Sequence, residues 1–221
     1  MSDKIAFFDF DDTLCRGDSI LPYLLFSVRR GVAPVTQVFR ALWGFLRWKM
    51  NPAEATGAKN LTLSYIRGRT ADELDALGRD FFREKLVGRF LPQGREELDR
   101  LHTEGYRIVV VTASAEVYMR LLPEFLPVDH VIATRCPLDG EGRYTGEVGE
   151  NCKGDEKPRR IRAWLEESSL SPNSPDWPAC RAYGDSLSDA PMLELTGHPV
   201  LVDPKPALTA RLPDAECVRW H

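Results

Sequence analysis

The chain has 221 residues, 43% apolar, 28% charged and 10% aromatic, with 33 acids against 29 bases for a net charge of −4. That length buries a core without disulfide or metal staples. The acidic balance excludes the Lys/Arg excess of an ordinary nucleic-acid binder, and the apolar fraction excludes a disordered acidic chain. Cys15, Cys136, Cys152, Cys180 and Cys217 are scattered, form no Cys-x-x-Cys pair, and read as free thiols of a reducing compartment. Met1-Ser2-Asp3-Lys4 leads into a strand-like run without a secretory signal pattern, so the expected location is the cytoplasm.

In chain order, 4–10 is a short apolar run suited to a parallel strand covered on both faces. It ends in Asp9-Phe10-Asp11-Asp12-Thr13. From Asp18 to Leu86 the patterns are helical. Asp18-Ser19 can cap a helix that stops at Gly31. Val35, Val38, Phe39, Leu42 and Leu46 then fall at helical spacing. Asn51-Pro52 reads as an N-cap followed by proline at the first helical position, and Thr70-Ala71-Asp72-Glu73 as a capping box. This predicts a helical cap over 17–85, inserted into an α/β core formed by 1–16 and 86–221. The window 32–50 is the most apolar, yet Arg40, Arg47, Lys49, Gly44 and Pro34 argue against a membrane span. Two readings of it stand: a helix that packs inside the insertion, which is favoured, and an Arg-rimmed apolar face that meets lipid or a greasy substrate.

Beyond Leu86, helix and strand alternate. Helices are expected at 93–104, 114–125, 155–167 and 188–195. Strands are expected at 107–112, 128–134, 180–184 and 199–202, with a hairpin arm at 143–148 and a Ser/Pro-rich loop at 168–178. The pattern predicts a Rossmann-like, mostly parallel sheet with helices on both faces.

Four chemistry-bearing groups follow successive strand-like runs: Asp9-Phe10-Asp11-Asp12-Thr13, then Val111-Thr112-Ala113-Ser114, then Lys153 and Lys157, then Gly184-Asp185-Ser186-Leu187-Ser188-Asp189. In a parallel sheet these carboxyl ends converge on one crevice. Carboxylates at Asp9 and Asp185 are hard oxygen ligands suited to Mg²⁺. A carboxylate can attack phosphorus, and a second one two residues on can move the proton. A hydroxyl and an ammonium can hold the phosphoryl oxygens.

These motifs resemble those of the haloacid dehalogenase superfamily of phosphohydrolases, and most of all its phosphoserine phosphatase-like branch. The resemblance covers 4–15 and 86–205, with the helical insertion where that branch carries its cap. It implies Asp9 as nucleophile and metal ligand, Asp11 as general acid/base and a metal ligand through its backbone carbonyl, and Thr112 as a phosphate-binding hydroxyl. It further implies Asp185 as metal carboxylate, with Asp189 and Ser114 in support. Gly-x-x-Lys before a helix in that branch favours Lys157 over Lys153 as the catalytic lysine. In phosphoserine phosphatases a glutamate nine positions after the nucleophile meets the substrate ammonium; that place here is Asp18, which is equally suited to capping a helix.

The implied activity is Mg²⁺-dependent hydrolysis, through an aspartyl-phosphate, of a small phosphorylated metabolite resembling phosphoserine or histidinol phosphate. Phosphatidylglycerophosphate or another lipid phosphate is the alternative substrate class. A phosphomutase or a phosphoacceptor signalling module is the alternative activity. Neither a nucleic-acid partner nor a transmembrane segment is expected, and oligomeric state is not legible.

Overall fold

The computed structural model describes residues 4–51, 54–168 and 175–221. Strand β1 (Ile5–Phe8) is buried throughout. Its alternate side chains leave opposite faces, so Ala6 and Phe8 join one core while Ile5 and Phe7 join the other. Around it lie β2 (Arg107–Ala115), β3 (His130–Thr134), β4 (Arg181–Gly184), β5 (His198–Val202) and β6 (Glu216–Val218). The six strands run in the order β3-β2-β1-β4-β5-β6, and every pair is parallel.

The chain builds outward from β1 on one side, then returns to build on the other. The β1/β4 junction is therefore the switch point, where crevices open at the carboxyl ends of strands. Helix α5 (Pro92–Thr103) covers one face through Leu98 and Leu101. Helices α7 (Glu156–Glu167) and α8 (Ala190–Leu193) cover the other through Ile161, Leu165 and Met192. The architecture is the expected Rossmann-like α/β fold.

Between β1 and α5 come α1 (Ile20–Arg29), α2 (Thr36–Met50), α3 (Ala55–Leu63) and α4 (Ala71–Phe81). Gly31 takes φ +71° just past α1, the left-handed stop its position suggested. The capping box closes on α4: the Glu73 N–H donates to the Thr70 hydroxyl at 3.3 Å, and the Thr70 N–H to the Glu73 carboxylate at 3.1 Å. Pro52 lies outside the described residues, and with it the Asn51-Pro52 helix start. Helix α4 packs against the helical turn at Glu116–Met119 that follows β2. The Tyr23 ring lies 4.5 Å from Tyr118 and 5.1 Å from Phe81, centroid to centroid. A Cβ on Gly78 would come within 2.5 Å of Leu121 Cδ1. The helical segment and the sheet thus share one hydrophobic core.

Helix α2 departs from the favoured expectation. It packs through Gln37, Ala41 and Gly44, while Phe39, Leu42 and Leu46 face outward. A Cβ on Gly44 would stand 3.0 Å from the Ala58 Cα, so only small residues let α2 approach α3 this closely. The apolar spacing marks the uncovered side of the helix.

Other differences are local. β2 runs on to Ala115, and Pro123 cuts the expected 114–125 helix down to α6 (Glu116–Met119) and a 3₁₀ turn at Leu122–Glu124. The expected hairpin arm at 143–148 is limited to isolated bridges, Leu138 with Tyr144 and Thr70 with Arg143. Helix α9 (Pro206–Arg211) and the edge strand β6 were not expected, because Glu216-Cys217-Val218 is too short and polar to show strand periodicity. Among the described residues no helix is long and apolar enough to cross a membrane.

Candidate active site

The carboxyl ends of β1, β2, β4 and β5 and the start of α7 meet at the switch point. Asp9 follows β1 directly and is only 8% exposed. Lys157, in the first turn of α7, is fully enclosed and donates to Asp9 Oδ1 and Asp189 Oδ1, each at 2.7 Å. Gly154, with φ +60°, turns the chain into α7, and Lys153 on the other side of that turn is exposed. Of the two candidate lysines, only Lys157 enters the carboxylate cluster.

One ammonium between two buried acids divides them. Burial works against the charge on Asp189, but Lys157 and the Ser186 N–H and hydroxyl outweigh it, so its pKa is lowered. Burial pushes Asp9 up to about 8 against the pull of Lys157, with Asp189 and Asp11 adding to the rise. Burial also opposes the Lys157 charge, yet its two carboxylates hold its pKa above the ordinary lysine value. Gly184 is required by the same packing, since a Cβ there would lie 2.6 Å from the Asp189 Cβ.

Asp185, after β4, is buried, and its carboxylate pairs with Lys205 at 2.5 Å. Burial raises its pKa, with Lys205 opposing. Lys205 also lies 3.7 Å from Asp12. Asp12 adopts φ +60°, which aspartate tolerates better than most residues, and its Oδ1 accepts from the Gly17 N–H at 2.7 Å.

Oxygens of Asp9, Asp185 and Asp189 all lie within 4.8 Å of one another. Both Asp189 oxygens are engaged, Oδ1 by Lys157 and Oδ2 by Ser186. Among the described residues Lys157 bonds only Oδ1 of Asp9 and Lys205 only Oδ2 of Asp185, which leaves the second oxygen of each to face a cation. Burial is the main cause of the upward shifts of Asp9 and Asp185, and a bound divalent ion would favour the ionised forms.

Asp11 lies beside this cluster. Its Oδ2 accepts from the Ser114 hydroxyl, while its buried Oδ1 has no hydrogen-bond partner among the described residues. Burial and then the nearby Asp18 charge lift its pKa to about 7. Ser114 is linked through Ser19 (2.8 Å) to Tyr118 (2.9 Å), a chain of hydroxyls that ties α1 to β2 and α6. The Thr112 hydroxyl accepts from the Ser114 N–H at 3.0 Å, which leaves its own O–H to donate elsewhere.

Asp18 is exposed and caps α1, its Oδ1 accepting from the N–H groups of Ile20 (3.0 Å) and Leu21 (3.3 Å). It holds the helix start, as the capping reading expects, and its charge is also felt at Asp11.

Sequence reasoning missed two lysines. Lys59, on α3, bonds the Ala113 carbonyl and the Asn151 side chain, and lies 3.4 Å from the Thr134 hydroxyl. Burial lowers its pKa to about 8, with Asp11 and Asp18 opposing. Nothing local in Ala58-Lys59-Asn60 signals this, because the partners lie 54 to 92 positions away. Lys205 was findable: it follows the apolar end of β5, where the same strand-end rule applies.

The chain matches the family model of haloacid dehalogenase-like hydrolases over residues 6–194 and belongs to that family. It is 28% identical to the phosphoserine phosphatase SerB1 of Mycobacterium tuberculosis over 90% of this chain and 64% of that one. To a histidinol-phosphatase of Neisseria meningitidis it is 24% identical over 91% of this chain and 90% of that one. A crystal structure of a Bordetella pertussis protein of unknown function superposes with a TM-score of 0.86 at 25% identity, covering 100% of both chains. The chain spans 64% to 73% of the length of the first curated relatives it matches. Fold and family together define a haloacid dehalogenase-like hydrolase, and the phosphoserine phosphatase fold is shared at 17% identity with a TM-score of 0.63 over 98% of this chain and 93% of that one.

Proposed function

We propose that the chain hydrolyses a small phosphorylated metabolite through an aspartyl-phosphate on Asp9, with Mg²⁺ as cofactor. The observation that carries the reading is Lys157 held between Asp9 and Asp189, with Asp185 converging on them. Asp9 and Asp185, with Asp11 through its backbone carbonyl, would hold the ion. When bound, Mg²⁺ would offset the charge of the phosphoryl oxygens and keep Asp9 ionised.

An Asp9 carboxylate oxygen attacks phosphorus, and the bond from phosphorus to the ester oxygen breaks. The Asp11 carboxyl gives its proton to that leaving oxygen, a role suited to an acid whose pKa is about 7. Lys157 and the Thr112 hydroxyl would hold the phosphoryl oxygens as charge spreads over them. The Asp11 carboxylate then takes a proton from water, which attacks the phosphoaspartate and frees inorganic phosphate and Asp9. The segment 17–85 would act as a cap, with Lys59 as its contact to the strand ends.

The test is a panel of amino-acid, sugar, nucleotide, lipid and p-nitrophenyl phosphates, assayed with Mg²⁺ and with EDTA. Turnover of at least one ester is expected with Mg²⁺ and none with EDTA. Metal-independent turnover would overturn the cofactor assignment. Residues 18–85 cannot simply be excised to test the cap, because Tyr23, Leu74, Leu77 and Phe81 belong to the core shared with Tyr118.

Asp18→Asn separates the two features of that residue. Asparagine caps about as well as aspartate, so stability should stay within about 0.5 kcal/mol. Removing the charge lowers the Asp11 pKa. Because the first step needs protonated Asp11, the alkaline limb of its rate should move to lower pH. An amine-bearing phosphoester should also lose affinity, by on the order of 2 kcal/mol if it pairs with Asp18, while a neutral one should not. An unmoved limb with equal affinities would reduce Asp18 to a cap.

A further inference from the structure

The outward side of α2 has no role in the site. Val35, Phe39, Leu42, Trp43, Leu46 and Met50 fall at a spacing that gathers them on one stripe, and they are 46% to 76% exposed. Nine of the twelve exposed large hydrophobic residues among those described lie between Leu21 and Met50, so the exposure is concentrated and not scattered. The charge is equally one-sided. Between Ser19 and Asn51 the sequence holds five bases and no acid, in a chain whose net charge is −4.

At 100° per residue, Arg40 and Arg47 border the stripe on one side and Lys49 on the other. Arg47 pairs with Glu54, and Arg30 pairs with Asp80 and Glu84 from the end of α4 and the turn after it. Among the described residues Arg29, Arg40 and Lys49 have no carboxylate partner. The opposite side of α2 carries Gln37, Ala41 and Gly44 and is already used against α3.

An apolar, aromatic stripe bordered by bases has the chemistry of a helix that lies in the headgroup layer of an anionic bilayer. A second copy is a poor occupant, because a two-fold contact sets the same patch against itself and brings bases against bases. We propose that α2 is a peripheral membrane-binding helix, which buries its stripe at the surface of an anionic bilayer and sets its bases against lipid phosphates.

The test is cosedimentation of the full chain with sucrose-loaded vesicles of phosphatidylcholine alone, or of phosphatidylcholine and phosphatidylglycerol in equal parts. The wild type should pellet with the anionic vesicles and much less with the neutral ones. Phe39→Ser with Trp43→Ser should weaken partitioning by on the order of 100-fold. Arg40→Gln with Lys49→Gln should weaken it about 10-fold or more on anionic vesicles and hardly alter it on neutral ones. All four positions are surface positions, so thermal melts should match the wild type and exclude misfolding. No partitioning of the wild type, or partitioning that the folded variants leave unchanged, would overturn the proposal. So would a concentration-dependent dimer in sedimentation velocity that the same variants abolish, since the stripe would then be an interface between copies.

Discussion

Asp9→Asn is expected to eliminate turnover of every phosphoester the wild type cleaves, a loss of about 10⁴-fold or more, the scale seen when a covalent nucleophile is removed. The amide can neither attack phosphorus nor supply an anionic ligand. It still offers an oxygen to the Lys157 ammonium, which also keeps its 2.7 Å contact with Asp189. The variant should therefore remain folded. Removing a carboxyl whose burial pushes it up to about 8 also removes the cost of burying its charge, so its thermal midpoint should equal or exceed that of the wild type. Brief incubation with radiolabelled substrate and an acid quench should trap labelled protein for the wild type and none for the variant. Full activity of the purified variant, once contaminating phosphatase is excluded, would sink the covalent route.

Lys157→Met should have the second-largest effect, on both stability and rate. Lys157 is enclosed, and the substitution leaves Asp9 and Asp189 facing each other without their shared cation. Breaking a buried pair on one side costs about 3–5 kcal/mol, a large part of the stability of a chain this size. The deficit should shrink in acid: without the ammonium both carboxyls have raised folded-state pKa values, so the variant regains stability relative to the wild type as pH falls and they take up protons. The rate should fall by at least ~2 kcal/mol of transition-state stabilisation, the scale of one preorganised donor. Lys153→Met is the control. Lys153 is exposed, and its loss should stay within about 0.5 kcal/mol of stability with the rate unchanged. Equal, mild effects from both variants would remove Lys157 from the proposed mechanism. Urea titrations at two pH values and single-turnover rates would decide the matter.

What the sequence determined by itself was local and repeated. The apolar runs that become β1, β2 and β4 are short, continuous and followed at once by Asp9, Thr112 and Asp185, so strand, order and strand-end chemistry were legible together. The capping box at Thr70 and the stop at Gly31 were legible because each is completed within a few residues. The choice between Lys153 and Lys157 followed from resemblance to a family; spacing alone left both open. In the folded chain the left-handed turn at Gly154 separates them and leaves Lys157 enclosed by two acids.

The rest was decided by contacts between distant segments. Lys59, Ser19 and Tyr118 join the neighbourhood of the site across 54 to 99 positions, and no window of the sequence spans that distance. Asp11 has a raised pKa only because folding buries it and brings Asp18 near. Helix α2 marks the boundary between the two kinds of information most sharply. Periodicity states that its apolar residues share a stripe, and it cannot state whether anything covers them. That was settled by Gly44 against Ala58, where a backbone approach of about helix-contact distance is open only to the small-residue side, so the large side chains were left facing out.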